Sequence, residues 1–159
     1  MRILGIDPGL RIAGYGCVEF SPPSPTPKPI EAGAIKLKQG KSTSSRLNTL
    51  FENITEVIQD VKPDIIAVET VFTHKERVST ATILGYARGV ILLAGEQAAL
   101  ELVEITPAEI KKSVTGNGRA TKEQVQHSVQ NILRLAETPS PTDVADALAI
   151  AITAGLRSM

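Results

Sequence analysis

The chain has 159 residues, of which 42% are apolar and 21% are charged, as in an ordinary globular protein. It carries 17 basic and 17 acidic residues, so its formal net charge is zero. Overall charge therefore does not indicate a nucleic-acid partner, which would need a local basic surface. The single cysteine excludes an internal disulfide, and the longest apolar run is too short to span a bilayer. We expect one soluble, cytoplasmic domain over residues 1–159 that has no contact with a membrane.

The first part of the sequence predicts three antiparallel strands followed by a helix. The strands are predicted at residues 2–7, 12–19 and 30–38. Between the second and third strands lies SPPSPTPKP, whose prolines predict an exposed, extended loop because proline cannot donate to a central ladder. The segment SSRLNTLFENITEVIQDVK then repeats apolar residues at intervals of three and four, which predicts an amphipathic helix.

The second part of the sequence alternates strands and helices. A β-branched strand at 63–70 is followed by a long helix at about 77–99 and a strand at 100–105. The long helix is apolar on more than one side, which is typical of a helix that packs against two layers or against a second copy of itself. Capping residues predict three further helices, which begin after Thr106, after Thr121 and near Thr142. The order predicts an α/β fold with a five-stranded mixed sheet, three antiparallel strands then two parallel, and helices on both faces.

Four acidic residues lie at the ends of predicted elements that are otherwise apolar. Asp7 and Glu69 each end an apolar strand, and if those strands are parallel neighbours, both carboxylates reach the same edge of the sheet. Asp143 and Asp146 are three residues apart at the start of the last helix, so they face one way. That helix is otherwise apolar and should pack on the sheet. The topology can therefore bring all four carboxylates together.

Converging carboxylates repel one another and raise one another's pKa values, and a hard divalent cation relieves that repulsion. An all-oxygen ligand set suits Mg²⁺, with Mn²⁺ as a substitute. Two such ions about 3.5–4 Å apart can activate water to hydrolyse a phosphodiester. Each acid alone has a structural explanation: Asp7 in an Asp-Pro-Gly turn, Glu69 at a solvated strand end, and Asp143 beside a helix dipole. The combination favours a metal site.

Four motifs extend along nearly the whole chain, from Arg2 to about Ala154: GIDPGLRIAGYG, AVETVF, LGYARGV and TDVADALAIAI. They resemble motifs of the RuvC crossover junction endodeoxyribonucleases. The resemblance implies a ribonuclease H-like fold and a homodimeric, magnesium-dependent nuclease. Such an enzyme resolves Holliday junctions by paired symmetric nicks in homologous recombination and DNA repair, with the branch-migration proteins RuvA and RuvB as expected partners. Its catalytic, metal-binding acids fall on Asp7, Glu69, Asp143 and Asp146. Gly9 and Gly14 then allow close backbone packing beside Asp7.

The resemblance also implies DNA-binding residues. Between residues 105 and 122 four cations stand against one anion, Glu109; these cations are Lys111, Lys112, Arg119 and Lys122. Family lysines that match Lys111 and Lys122 contribute to DNA binding and cleavage, and we count Lys122 among the catalytic residues. Lysines on an amphipathic helix can equally be its solvated face.

A second group of expected DNA contacts follows the strand that ends at Glu69. Phe72 matches a family aromatic residue that stacks on an unpaired base, although a ring in the local core is the alternative. Lys75, Arg77 and Arg88 are expected to add phosphate contacts. The sequence departs from the family pattern at Glu76 and Tyr86, where asparagine and glutamine are usual.

Other functions remain open at this stage. One is a related ribonuclease H-like nuclease that acts on structured RNA. Another is an actin-like phosphotransferase, since DPGLRIAG resembles its first phosphate loop, but 159 residues leave no room for the second domain that such a protein needs. The last is a junction-binding protein without catalysis, which the presence of all four acids argues against.

Overall fold

The computed structural model describes residues 1–70 and 78–159, and within them the chain forms one sheet flanked by helices. The strands are β1 (Arg2–Asp7), β2 (Ile12–Glu19), β3 (Lys28–Lys36), β4 (Ile65–Glu69) and β5 (Glu101–Ile105). The helices are α1 (Thr43–Val61), α2 (Val78–Gln97), α3 (Pro107–Thr115), α4 (Lys122–Leu133) and α5 (Thr142–Arg157).

The five strands lie in the order β3-β2-β1-β4-β5. β1 pairs with β2 and β2 pairs with β3 in antiparallel orientation, whereas β1 pairs with β4 and β4 pairs with β5 in parallel orientation. The predicted mixed sheet is therefore confirmed. One edge of this sheet collects the carboxyl ends of β1, β4, β5 and β3 together with the start of β2, and the candidate site lies along that edge.

Helices cover both faces of the sheet, as the sequence predicts. Successive residues of the central strands point to opposite faces. Ile3 and Ala67 join the core under α3, α4 and α5, whereas Leu4 and Ile66 join the core under α1 and α2. Strands buried on both faces need apolar residues at every position, and this explains the continuous apolar runs of β1 and β4.

Glycines let α5 approach the sheet unusually closely. Gly5 of β1 and Gly16 of β2 are directly paired across the ladder, and both face α5. A Cβ atom at Gly5 would come 2.6 Å from the backbone nitrogen of Ala151, and one at Gly16 would come 2.6 Å from Cδ2 of Leu148. The backbone of α5 therefore lies directly on β1 and β2, which fixes the position of its first turn.

The structure corrects the predicted boundaries of β3. The strand begins at Lys28 and includes Pro29, so the proline-rich segment is shorter than the exposed loop predicted over residues 21–29, and Pro27 is buried. Proline is tolerated here because β3 is an edge strand and one side of it needs no hydrogen-bond donor. α2 ends at Gln97, two residues before its predicted end, and its predicted first residue, Arg77, lies outside the described residues.

Candidate active site

Asp7 and Glu69 reach the same edge of the sheet from neighbouring parallel strands. Asp7 is the last residue of β1 and Glu69 the last of β4, and their preceding residues Ile6 and Val68 are paired in the ladder. Asp7 is four residues after Ile3, and Glu69 is two residues after Ala67. Because side chains alternate between the faces of a strand and Ile3 and Ala67 face α5, both carboxylates lie on the α5 face of the sheet. The convergence that the sequence predicts for these two strands is present.

The first turn of α5 supplies the other two carboxylates. Gly14 is the residue opposite Asp7 in the β1–β2 ladder, and a Cβ atom there would overlap the backbone carbonyl of Asp143. The start of α5 therefore lies against the strand next to Asp7. Asp146 follows one turn later on the same side of the helix, where both aspartates are partly buried, whereas Val144 and Ala145 between them are buried.

The four carboxylates form one electrostatic cluster. Burial, followed by the charges of Asp146, Asp143 and Glu69, raises the pKa of Asp7 to about 8, although the nearby Lys122 ammonium acts to lower it. Burial and the charge of Asp146 raise the pKa of Glu69. Burial also raises the pKa of Asp146, with a further contribution from Asp143 and an opposing one from Lys122. Such mutually destabilised carboxylates favour a bound cation.

Two lysines border this cluster. Lys122 opens α4, whose start is fixed by the predicted capping box between Thr121 and Gln124, and its Nζ lies 3.8 Å from Oδ2 of Asp146. Lys111 of α3 is partly buried, and its charge partly opposes the rise in the pKa values of Glu69 and Asp146. The structure thus brings these two predicted residues to the acids.

The other predicted cations of this region stand further out. Lys112 of α3 and Arg119 of the turn before α4 are exposed. The backbone nitrogen of Arg119 donates to Oδ1 of Asn117 at 2.9 Å, which fixes the turn that leads to Thr121. Lys112 and Arg119 can therefore extend a basic surface beside the acids.

The donor chemistry of the cluster fits a hard cation, since all four side chains offer carboxylate oxygen. As the side chains stand, however, no group of three or more His, Cys, Asp or Glu residues within 1–70 and 78–159 is arranged so that it could hold a metal ion. Uncompensated like charges repel one another, and the ammonium of Lys122 occupies part of the space beside Asp146. The four-carboxylate ligand set remains a prediction.

Several of the predicted DNA contacts lie outside the described residues. These are Phe72, Lys75 and Arg77, and Glu76, where the family usually has asparagine, lies outside them as well. Arg88 is described: its guanidinium forms an ion pair with Glu104 of β5, and its side chain is 13% exposed, so its expected phosphate contact remains a prediction. The ion pair ties α2 to the sheet.

Sequence reasoning named Gly14 as a close-packing position but missed Gly5 and Gly16. The signal was a glycine pattern: Gly14 and Gly16 alternate on β2, and Gly5 of β1 is paired with Gly16. Such a pattern indicates a helix packed closely on the sheet. Gly9, the other glycine that was named, serves the turn itself, because a Cβ atom there would overlap the carbonyl of Ile12.

Comparison with known proteins decides the family. The family model described as "Crossover junction endodeoxyribonuclease RuvC" matches residues 3–154. The chain belongs to the RuvC family. A RuvC crossover junction endodeoxyribonuclease from Moorella thermoacetica is 46% identical to it over 96% of this chain and 89% of that protein. The Brevibacillus brevis protein of the same name is 44% identical over 96% of this chain and 90% of its own length.

Solved structures agree with this assignment. Thermus thermophilus RuvC superposes with a TM-score of 0.90 at 30% identity, covering 99% of this chain and 95% of that one. The same protein in complex with a Holliday junction substrate gives a TM-score of 0.92, covering 99% and 94%. The predicted RuvC resemblance, ribonuclease H-like fold and endodeoxyribonuclease class are therefore confirmed. The RNA-directed alternative finds no support. No helix among the described residues has the length and apolar character to cross a membrane.

Proposed function

We propose that this chain resolves Holliday junctions, hydrolysing DNA phosphodiesters by paired symmetric nicks during homologous recombination and repair. The observation that carries the proposal is the electrostatic coupling of Asp7, Glu69, Asp143 and Asp146 at one edge of a RuvC fold. A site built for structured RNA would share the fold, but the chain's relatives are endodeoxyribonucleases along nearly its whole length.

In this proposal Asp7, Glu69, Asp143 and Asp146 hold Mg²⁺, which Mn²⁺ can replace. The carboxylates supply oxygen ligands, and the raised pKa values of Asp7, Glu69 and Asp146 fall when a divalent cation binds beside them. When bound, divalent ions activate a water and stabilise the oxygen that leaves the phosphorus.

The lysines act on the DNA beside this site. Lys122, 3.8 Å from Asp146, neutralises charge that develops on the scissile phosphate and is therefore a catalytic residue in this proposal. Lys111, Lys112 and Arg119 continue the basic surface along α3 and the turn that follows, where they bind flanking phosphates. From their sequence positions, Phe72 stacks on an exposed base, and Lys75 and Arg77 bind phosphate.

A symmetric junction requires two sites related by a two-fold axis, so we propose that the protein acts as a homodimer. The outer face of α2 is suited to this role: Tyr86 is 50% and Leu93 is 51% exposed, and a Cβ atom added at Gly89 between them would meet nothing within 4 Å among residues 1–70 and 78–159. We also propose that residues 1–159 work as one nuclease domain in the cytoplasm and that RuvA and RuvB present the junction to it.

The proposal is tested with a synthetic mobile four-way junction, a linear duplex and a structured RNA of equal length. Wild-type protein with Mg²⁺ should nick the junction at symmetric positions and leave the other substrates intact. Asp7→Asn should lower the single-turnover cleavage rate by at least about 10²-fold while junction binding survives, because it removes a ligand but no DNA contact.

Asp60→Asn, a change at an exposed carboxylate of α1, is the matched control and should cut normally. Cleavage of the RNA in preference to the junction would reject the proposed substrate. Magnesium-dependent nicking at the normal rate by the Asp7 variant would reject the proposed site.

A further inference from the structure

A groove of about 970 Å³ lies immediately beside the acidic cluster. One wall is the β1–β2 turn from Pro8 to Ile12, another is the end of β3, and Asp143 closes the end next to the catalytic acids. Ile83 and Leu84 of α2 add an apolar wall. The groove thus joins the proposed cleavage site but lies on the side away from Lys111 and Lys122.

The charge of the groove is mostly positive. Arg11, Lys36 and Arg46 line it, and Asp143 is its only acidic lining residue among the described part of the chain. Arg11 and Lys36 are exposed. Their backbones are neighbours, because Ile12 pairs with Lys36 in the β2–β3 ladder and the backbone nitrogen of Leu37 donates to the carbonyl of Arg11 at 3.0 Å. A charged pocket of this kind selects an anion.

Arg46 is pre-positioned within this groove. Its Nη1 donates to the carbonyl of Leu10 at 2.9 Å, which ties α1 to the β1–β2 turn. A fixed guanidinium loses little side-chain entropy on binding. Phosphate oxygen is a suitable acceptor for such a group.

Sheet topology gives the distance from the acids. β3 is two strands away from β1, and neighbouring strands are about 4.8 Å apart, so Lys36 lies about 10 Å along the edge from Asp7. One strand of a duplex carries a phosphate about every 3.4 Å of its axis. Successive phosphates are at least this far apart, because the strand also winds round the axis, so a strand whose scissile phosphate lies at the acids brings a phosphate within about three nucleotides of the cut to this groove.

We propose that Arg11, Lys36 and Arg46 form a phosphate-binding subsite that holds the cleaved strand on the side of the acids opposite Lys111 and Lys122. The inference rests on the proposed nuclease function and adds a second anchor to it. The strand then spans the carboxylates between two basic surfaces, its phosphates on the three cations and its sugars against Ile83 and Leu84. Such two-sided anchoring limits sliding of the scissile phosphate past the acids.

Lys36→Glu and Lys38→Glu make a matched pair, because both lysines are exposed and two residues apart but only Lys36 lines the groove. Each change alters the net charge equally. Binding of wild type and variants to the four-way junction is measured without divalent metal across a salt series. Lys36→Glu should weaken binding about tenfold and reduce the slope of log K against log salt by about 1, whereas Lys38→Glu should change binding less than about twofold.

Junctions with single methylphosphonates then locate the contact. Removing the charge of a phosphate one to three nucleotides from the cut should weaken wild-type binding more than Lys36→Gln binding, because one of the three cations that bind that phosphate is already lost. Equal effects of the Lys36 and Lys38 variants, or equal methylphosphonate effects on wild type and Lys36→Gln, would reject the subsite. Wild-type cleavage of the junction is scored separately, so loss of the subsite and loss of the nuclease assignment give different results.

Discussion

At the scale of single residues, the acids that are proposed to bind metal should destabilise the fold when metal is absent. Burial and neighbouring carboxylates raise the pKa of Asp7 from its ordinary 3.8 to about 8, so the folded protein retains a proton that the unfolded chain releases. Folding is then opposed increasingly as pH rises from about 4 to 8, since the unfolded state binds fewer protons over that range. The contribution of protonated Asp7 to the free energy of unfolding is therefore fully present below about pH 4 and lost above about pH 8.

Asp7→Asn removes this titration. In metal-free protein the variant should exceed wild type in free energy of unfolding by about 2–4 kcal/mol at pH 8, and the difference should shrink towards zero near pH 4. This range is below the full value of the pKa shift because Asp7 is only partly buried and water relaxes around it. Urea unfolding over a pH series measures the effect.

Addition of Mg²⁺ should reduce the difference in free energy of unfolding between Asp7→Asn and wild type, because the cation stabilises wild type more than a variant that lacks one ligand. Asp60→Asn again serves as the control and should show no growing advantage with pH. A constant difference between Asp7→Asn and wild type from pH 4 to 8 would mean that the carboxylate of Asp7 is not destabilised by its neighbours.

At the scale of secondary-structure elements, the position of α5 decides whether the acids meet. Asp143 and Asp146 lie on this helix, whereas Asp7 and Glu69 end strands, so small movements of α5 separate the two pairs. Gly14→Ala introduces a Cβ atom that overlaps the Asp143 carbonyl and lies 3.0 Å from Asp143 Cβ. Backbone cannot give way as a side chain can, so the first turn of α5 must shift.

We expect Gly14→Ala to lower the free energy of unfolding by about 1–3 kcal/mol and the single-turnover cleavage rate by about 10²-fold. Gly16→Ala is the matched comparison, since its Cβ would meet mainly the flexible Leu148 side chain one turn further along α5. It should cost stability but leave most cleavage activity. Rates are compared where both variants are fully folded, and equal rate losses would contradict the role assigned to Gly14.

The same elements show what the sequence could and could not predict. Strand ends, caps and the strand order followed from local patterns and the family motifs, so the edge that bears Asp7 and Glu69 was predictable. The inclusion of Pro29 in β3 was not, because only the sheet order shows that this strand lies at an edge. The pairing of Arg88 with Glu104 and the groove at Lys36 depend on contacts between distant segments, which no local pattern specifies.

At the scale of the whole molecule, one apolar surface has no partner within the described chain. Tyr86 and Leu93 on α2 are 50% and 51% exposed, and they are seven residues apart on the same side of the helix. The opposite side of α2 packs on the sheet through Ala87 and Ile91, which are fully buried. α2 is therefore apolar on two sides, as the sequence indicates, and its outer side is available to a second copy.

Leu93→Glu tests this dimer. In a two-fold interface each copy would place a charge in the shared apolar contact, so the change should convert a dimer to a monomer at micromolar concentration, as measured by sedimentation velocity. On a plasmid with an extruded cruciform, paired nicks give linear DNA, whereas the monomeric variant should give nicked circles. Leu156→Glu is the control, because Leu156 is also exposed, at 41%, but lies on α5. A Leu93→Glu protein that stays dimeric and still linearises the plasmid would place the interface elsewhere.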